Sequence, residues 1–245
     1  MFNENEKFLV IDTETTNDID NPIVYDVGFA VIDIFGNIYE EHSYVVAETF
    51  LEEKELMKTA YFADKIPMYK EDIKQGKRTL KRYWNIKKIL FDTIKKYNIK
   101  IVMAHNMRFD YRSLNLTLRW FTSSKYRYFL PYDVEIWDTL KMARETFKND
   151  NDYREFCLAN NFVTKRGGNK YSAEILYRYL TKNLDFVESH TGLEDTLIEK
   201  EIFVECMKRN NELCGRLWEW GLPQLVPGRV SNKSYNEFKK VLDKS

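Results

Sequence analysis

The sequence predicts an α/β fold, a mixed sheet flanked by helices, and two patterns carry that expectation. Three strand-like stretches come first, spaced closely enough for an antiparallel meander; after them, segments with a helical period alternate with short apolar stretches. Residues 8 to 13 (FLVIDT) read as the first strand and 25 to 33 (YDVGFAVID) as the second, with apolar residues at alternating positions. FGN at 35 to 37 supplies a turn into a third strand over 38 to 46.

Residues 79 to 97 set Leu80, Tyr83, Trp84, Ile86, Ile89, Leu90, Ile94 and Tyr97 near one helical face, which predicts a single amphipathic helix with a basic outer face. IVMAH, 101 to 105, is a short strand, and a helix begins near Phe109. A strand near 134 to 136 precedes helices at about 138 to 147, 151 to 159, 172 to 181 and 192 to 209. No internal repeat or low-complexity segment interrupts the series. The expected division is one domain over residues 1 to 209 and a C-terminal extension over 210 to 245. In that extension Trp218 and Trp220 lie beside Pro223 and Pro227 without a long periodic element, so it either packs back on the domain or recruits a protein partner.

With 245 residues, 44% of them hydrophobic, and only 9 Gly and 5 Pro, the chain can bury one sizeable core. That composition excludes disordered and fibrous classes. The start, MFNENEKF, lacks the basic residues and apolar run of a secretion signal, and no window approaches the ~18 apolar residues of a membrane span. Cys157, Cys206 and Cys214 show neither CxxC spacing nor a His partner at metal-ligand spacing. A cytoplasmic protein without membrane contact, disulfides or structural zinc is therefore expected.

Net charge is zero, which argues against electrostatic coating of nucleic acid. Its distribution is uneven. Residues 65 to 100 carry 12 Lys and Arg against 3 acids, whereas residues 1 to 60 carry 14 acids against 3 bases. The basic run reads either as a solvated helix face or as a surface that attracts phosphates.

Three short stretches hold the chemistry. Asp12 and Glu14 are two apart in a strand and so project from one face; paired acids repel unless a hard cation such as Mg2+ or Mn2+ lies between them, the plainer alternative being solvated acids at a strand end. Asp110, in AHNMRFD, follows a strand near a helix start, where a carboxylate can also cap backbone N–H groups. In SHTGLED, Thr191 and Glu194 have capping-box spacing, so a helix starts just after Thr191. His190 then lies in the preceding loop and Asp195 in the first turn, where both can face one site.

Taken together, DTETT (12 to 16), HNMRFD (105 to 110) and His190 with Asp195 resemble the three exonuclease motifs of the DEDD superfamily, in its histidine-containing branch. That branch includes the proofreading subunit of bacterial DNA polymerase III and ribonuclease T. DTLKMAR (138 to 144) is similar to a segment that many members carry between the second and third motifs, and the resemblance covers residues 7 to about 208. It implies a ribonuclease H-like fold in which Asp12, Glu14, Asp110 and Asp195 hold two divalent cations, Mg2+ or Mn2+, and His190 is the general base. It implies a 3′ to 5′ exonuclease that releases nucleoside 5′-monophosphates from the 3′ ends of single-stranded DNA. An RNA or oligoribonucleotide exonuclease stays open, because the chemistry does not depend on the 2′-OH. So does a non-catalytic nucleic-acid or partner-binding module on the same fold.

By the same resemblance Thr15 is expected to contact the terminal nucleotide, with Asn106 and Phe109 as neighbours of the site, while His105 is expected to be structural. TKRGGNK, 164 to 170, has a Gly pair and three bases, which suit a loop near a nucleic-acid backbone or an ordinary surface turn. Two features depart from the family: Asn17 stands where Gly is frequent, and the stretch 48 to 80, like the tail after 210, has no counterpart.

Overall fold

The computed structural model describes residues 4–16, 20–122 and 127–217. Among these residues six strands form one sheet: β1 (Phe8–Thr16), β2 (Ile23–Ile32), β3 (Ile38–Val46), β4 (Thr79–Lys81), β5 (Ile101–Ala104) and β6 (Glu135–Asp138), in the spatial order β4-β3-β2-β1-β5-β6. The first three make the expected antiparallel meander, and β5 and β6 extend it in parallel with β1. β4, parallel to β3, replaces the start of the helix expected over 79 to 97. There Leu80 packs beside Val45 and Tyr69, so its apolar side chain serves the sheet edge rather than a helix face.

Among the described residues, eight helices surround the sheet: α1 (Lys54–Met57), α2 (Ile66–Lys74), α3 (Tyr83–Lys96), α4 (Met107–Thr122), α5 (Thr139–Phe147), α6 (Asn151–Ala159), α7 (Ala173–Thr181) and α8 (Gly192–Arg209). Alternation along β1 divides the core. Leu9 and Ile11 join Ile86, Leu90 and Leu114 of α3 and α4 on one face, whereas Phe8 and Val10 join Ile202 and Phe203 of α8 on the other. Continuing the alternation places Asp12 and Glu14 on the α8 side. β1 runs on to Thr16, with a register shift after Glu14, so both acids sit within a paired strand rather than beyond its end.

The approach of α8 to the sheet depends on two glycines. A Cβ on Gly28 would lie 2.0 Å from the carbonyl carbon of Gly192, and one on Gly192 would lie 2.5 Å from the Gly28 nitrogen. The first turn of α8 thus rests directly on the β2 backbone, where the Thr196 hydroxyl donates to the Gly28 carbonyl at 3.2 Å.

Between β3 and β4, a helical turn at Glu48–Glu52, α1, a shorter turn at Ala63–Lys65 and α2 close around Tyr25, Phe50, Met57 and Tyr69. Arg78, which follows this insertion, is buried and reaches Asp26 at 3.3 Å, Asp72 at 3.1 Å and Glu194 at 2.7 Å. Arg82 pairs with Glu52 and Lys96 with Glu40, both at 2.5 Å. Part of the basic run is thereby neutralised by the acidic N-terminal third.

After α8 the chain returns to β6, where the Asp138 N–H donates to the Gly215 carbonyl at 2.9 Å and the Leu217 N–H to the Ile136 carbonyl at 2.8 Å. Asn17, Trp218, Trp220, Pro223 and Pro227 lie outside the described residues. Among the described residues, no helix is long and apolar enough to cross a membrane.

Candidate active site

A cleft of about 760 Å³ opens where β1 meets α8, with Asp12, Glu14, Glu188, His190, Asp195 and Glu199 among its lining residues. Asp110 lies beneath it, 2% exposed. Because α4 begins at Met107, Asp110 sits inside the first turn, and its Oδ1 accepts from the Thr13 hydroxyl at 2.8 Å and the Thr13 N–H at 3.2 Å. The residue between the two strand acids therefore fastens the acid of α4 to β1.

Asp195 is fixed by its own loop. Ser189 Oγ donates to Oδ1 at 3.1 Å and the Thr191 N–H to Oδ2 at 3.2 Å. The capping-box spacing locates the start of α8, yet the bonding differs from that motif: Asp195 receives the Thr191 N–H, while Glu194 accepts from the Thr191 hydroxyl at 2.7 Å and from Arg78. Glu194 is drawn away because a buried guanidinium offers the stronger, charge-assisted donor.

Burial, with the crowding of acids, raises their pKa values. Burial, then the charge of Asp195, pushes Glu14 up to about 9; burial, then Glu188, pushes Asp195 to about 8. Asp110 rises to about 7 through burial, against the opposing hydrogen bonds from Thr13. Burial also drives Asp12 and Glu199 well above the carboxylate range.

This donor set fits divalent cations. Carboxylate oxygens are hard ligands suited to Mg2+ or Mn2+, and Glu14, His190 and Asp195 offer ligand atoms within 4.8 Å of one another. One buried oxygen, Oε2 of Glu199, has no hydrogen-bond partner among the described residues. Asp12, Glu14, Asp110 and Asp195 could supply such oxygen ligands.

No family model matches this chain, and no curated protein matches it. Solved structures do. Exonuclease I from Methylocaldum szegediense aligns over 84% of this chain and 41% of its own, with a TM-score of 0.54 at 14% identity. E. coli exonuclease I in complex with a 5cy-dT13 oligonucleotide aligns over 84% of this chain and 42% of its own, with a TM-score of 0.50 at 11% identity. The chain shares the fold of these exonuclease I structures. Exonuclease X, in complex with 5′-overhanging duplex DNA, aligns over 83% of this chain and 93% of its own, with a TM-score of 0.42 at 18% identity. This chain spans about two fifths of the exonuclease I chains.

On this fold, the segment between β3 and β4 adds to the site Phe62, which no sequence pattern marked, and Lys65, the first residue of the basic run. The ring of Phe62 stacks on His190 at 4.2 Å and 14°, and Lys65, 4.4 Å over Phe62, donates to the Ser189 carbonyl. His190 itself has φ 48°, and its Nδ1 lies 3.9 Å from Glu188 Oε2. Burial, then the charge of Lys65, lowers its pKa.

Of the expected substrate contacts, Asn106 lines the cleft, and its N–H donates to Asp138 Oδ1 at 3.0 Å. The same oxygen caps α5 through the Leu140 N–H, which is the local work of the DTL segment. Thr15 and Phe109 are half-buried and stand outside the cleft wall. Thr164, Asn169 and Lys170 of the basic loop do line it, with Arg144 of α5. Arg154 braces that loop by donating to the Gly167 carbonyl and to Asn169 Oδ1, both at 2.7 Å. His105 joins two elements: Nε2 donates to the Tyr171 carbonyl at 2.7 Å, so Nδ1 accepts from the Thr139 hydroxyl at 3.0 Å.

Proposed function

We propose that this chain is a two-metal-dependent 3′ to 5′ exonuclease that releases nucleoside 5′-monophosphates from the ends of single-stranded DNA. One observation carries the reading: acids from three separate elements, Asp12 and Glu14 of β1, Asp110 of α4 and Asp195 of α8, converge beside His190. Without cations such a group would repel both itself and a phosphodiester. When bound, two divalent cations would supply an activated water and stabilisation of the leaving 3′ oxygen.

The remaining work falls to the chain. Thr13 holds Asp110, and Ser189 with Thr191 holds Asp195, so the ligands are oriented in advance. His190 accepts the proton of the attacking water at Nε2, its Nδ1 being turned toward Glu188. Its lowered pKa keeps the ring neutral, as a base must be, near neutral pH. Arg144 and Lys170 in the cleft wall suit the phosphates of the preceding nucleotides. The oligonucleotide held by E. coli exonuclease I supports DNA as the polymer.

The test is a time course on 5′-labelled single-stranded DNA and matched RNA with Mg2+ or Mn2+, run beside Asp195→Ala. Wild type should give a ladder that shortens from the 3′ end, and the variant none. Faster cleavage of RNA would reassign the polymer. Equal products from wild type and variant would end the reading.

A further inference from the structure

We propose that Glu199 is a fifth carboxylate ligand of the metal centre, beyond the four acids that the DEDD motifs supply. It lies one helical turn after Asp195 on α8, so the two share a face of that helix. It is 3% exposed and lines the cleft. The His105 backbone N–H donates to its carboxylate, while Oε2 is buried without a hydrogen-bond partner among the described residues. Asp110, Asp195 and Asp12 all lie close enough to act on its charge, or it on theirs.

An ionised carboxylate in that position is unfavourable unless a cation meets the free oxygen. The charges that act on it come from the acids Asp110, Asp195 and Glu188, and no side chain meets Oε2 among the described residues. A divalent cation bound in the cleft that Glu199 lines with Asp12, Glu14 and Asp195 would remove both the repulsion and the unmet acceptor. Glutamate on an amphipathic helix ordinarily faces water; this one points into the core side of α8, against β1 and the strand end at His105.

This inference rests on the two-cation reading, and the test separates the two. Mn2+ alone is titrated calorimetrically into the full chain after EDTA treatment, for wild type, Glu199→Gln, Glu199→Asp and Asp110→Asn. Melting temperature is recorded with and without Mn2+. Glu199→Gln should weaken Mn2+ binding at least about tenfold, shrink the Mn2+-dependent rise in melting temperature, and leave the Mn2+-free protein melting no lower than wild type. Glu199→Asp, with the charge on a shorter arm, should fall between. Wild-type affinity and stoichiometry in both Glu199 variants would overturn the assignment. If Asp110→Asn weakens binding while the Glu199 variants do not, Glu199 alone is misassigned. Failure of the wild type to bind Mn2+ would remove the two-cation reading together with it.

Discussion

The orientation of His190 is secured more by a ring contact than by a hydrogen bond. Glu188 stands 3.9 Å away, too far for a direct bond, whereas the Phe62 ring covers the imidazole at 4.2 Å. Stacked aromatic pairs contribute about 0.5–1.5 kcal/mol beyond their buried area, so Phe62→Ala should lower the single-turnover rate roughly two- to tenfold. Melting temperature should barely move, since Phe62 is only half-buried; an unchanged rate would show that the stack does not position the base. Thr13 makes a second residue-scale case. Thr13→Val keeps the shape and the backbone donor but removes the 2.8 Å hydroxyl bond to Asp110. A loss of about 1.5–3 kcal/mol is expected for a bond to a charged acceptor, measurable by urea unfolding in the presence of Mn2+, where Asp110 is ionised. No change there would mean that the backbone N–H alone suffices.

Helix α8 and the β3–β4 insertion are held to each other through Arg78 and Asp26. Asp26 Oδ2 accepts from Tyr69 at 2.6 Å, from Gly192 N–H at 3.0 Å and from Arg78 at 3.3 Å, so the insertion, β2 and the first turn of α8 meet at one carboxylate. Arg78→Met leaves that buried acid without its cation and should cost about 3–5 kcal/mol. Adding Asp26→Asn should recover much of the loss in denaturant unfolding; additive losses would show that the pair is not coupled. The elements differ in how legible they are in the sequence for the same physical reason. α8 is readable to its ends because a T-x-x-E signal and a helical period are local, and the acidic motifs stand out because each gathers its acids within a few residues, in β1, just after β5 and at the start of α8. β4 has three residues, too few to show a period, and it borrows its identity from pairing with β3. Arg78 contacts partners 52 and 116 positions away, while Phe62 and Lys65 meet a loop more than a hundred positions later, so no local window reveals them. Glu199 reads as one more surface acid until α8 is docked.

Across the whole molecule, the segregated charges of the sequence answer one another in part: Lys96 meets Glu40, Arg82 meets Glu52 and Arg78 meets Asp26. The cleft gathers acids, and that crowding makes stability depend on pH and on cations. Folding raises Asp110 from 3.8 to about 7, Asp195 from 3.8 to about 8 and Glu14 from 4.5 to about 9. Between about pH 4 and pH 9 the folded chain therefore binds more protons than the unfolded one, and its stability without cations falls as pH rises through that window. Divalent cations compete with those protons and bind the folded form, so they should stabilise most where the carboxylates are ionised. In EDTA the melting temperature should drop from pH 5.5 to pH 8.5 by several degrees, given that 1 kcal/mol moves it about 2–4 °C in a chain of this size. Added Mn2+ should raise it more at pH 8.5 than at pH 5.5. A melting temperature in EDTA that stays flat across the window would mean that the acids are not crowded together in solution, and a Mn2+ effect that is equal at both pH values would mean that the ion binds elsewhere.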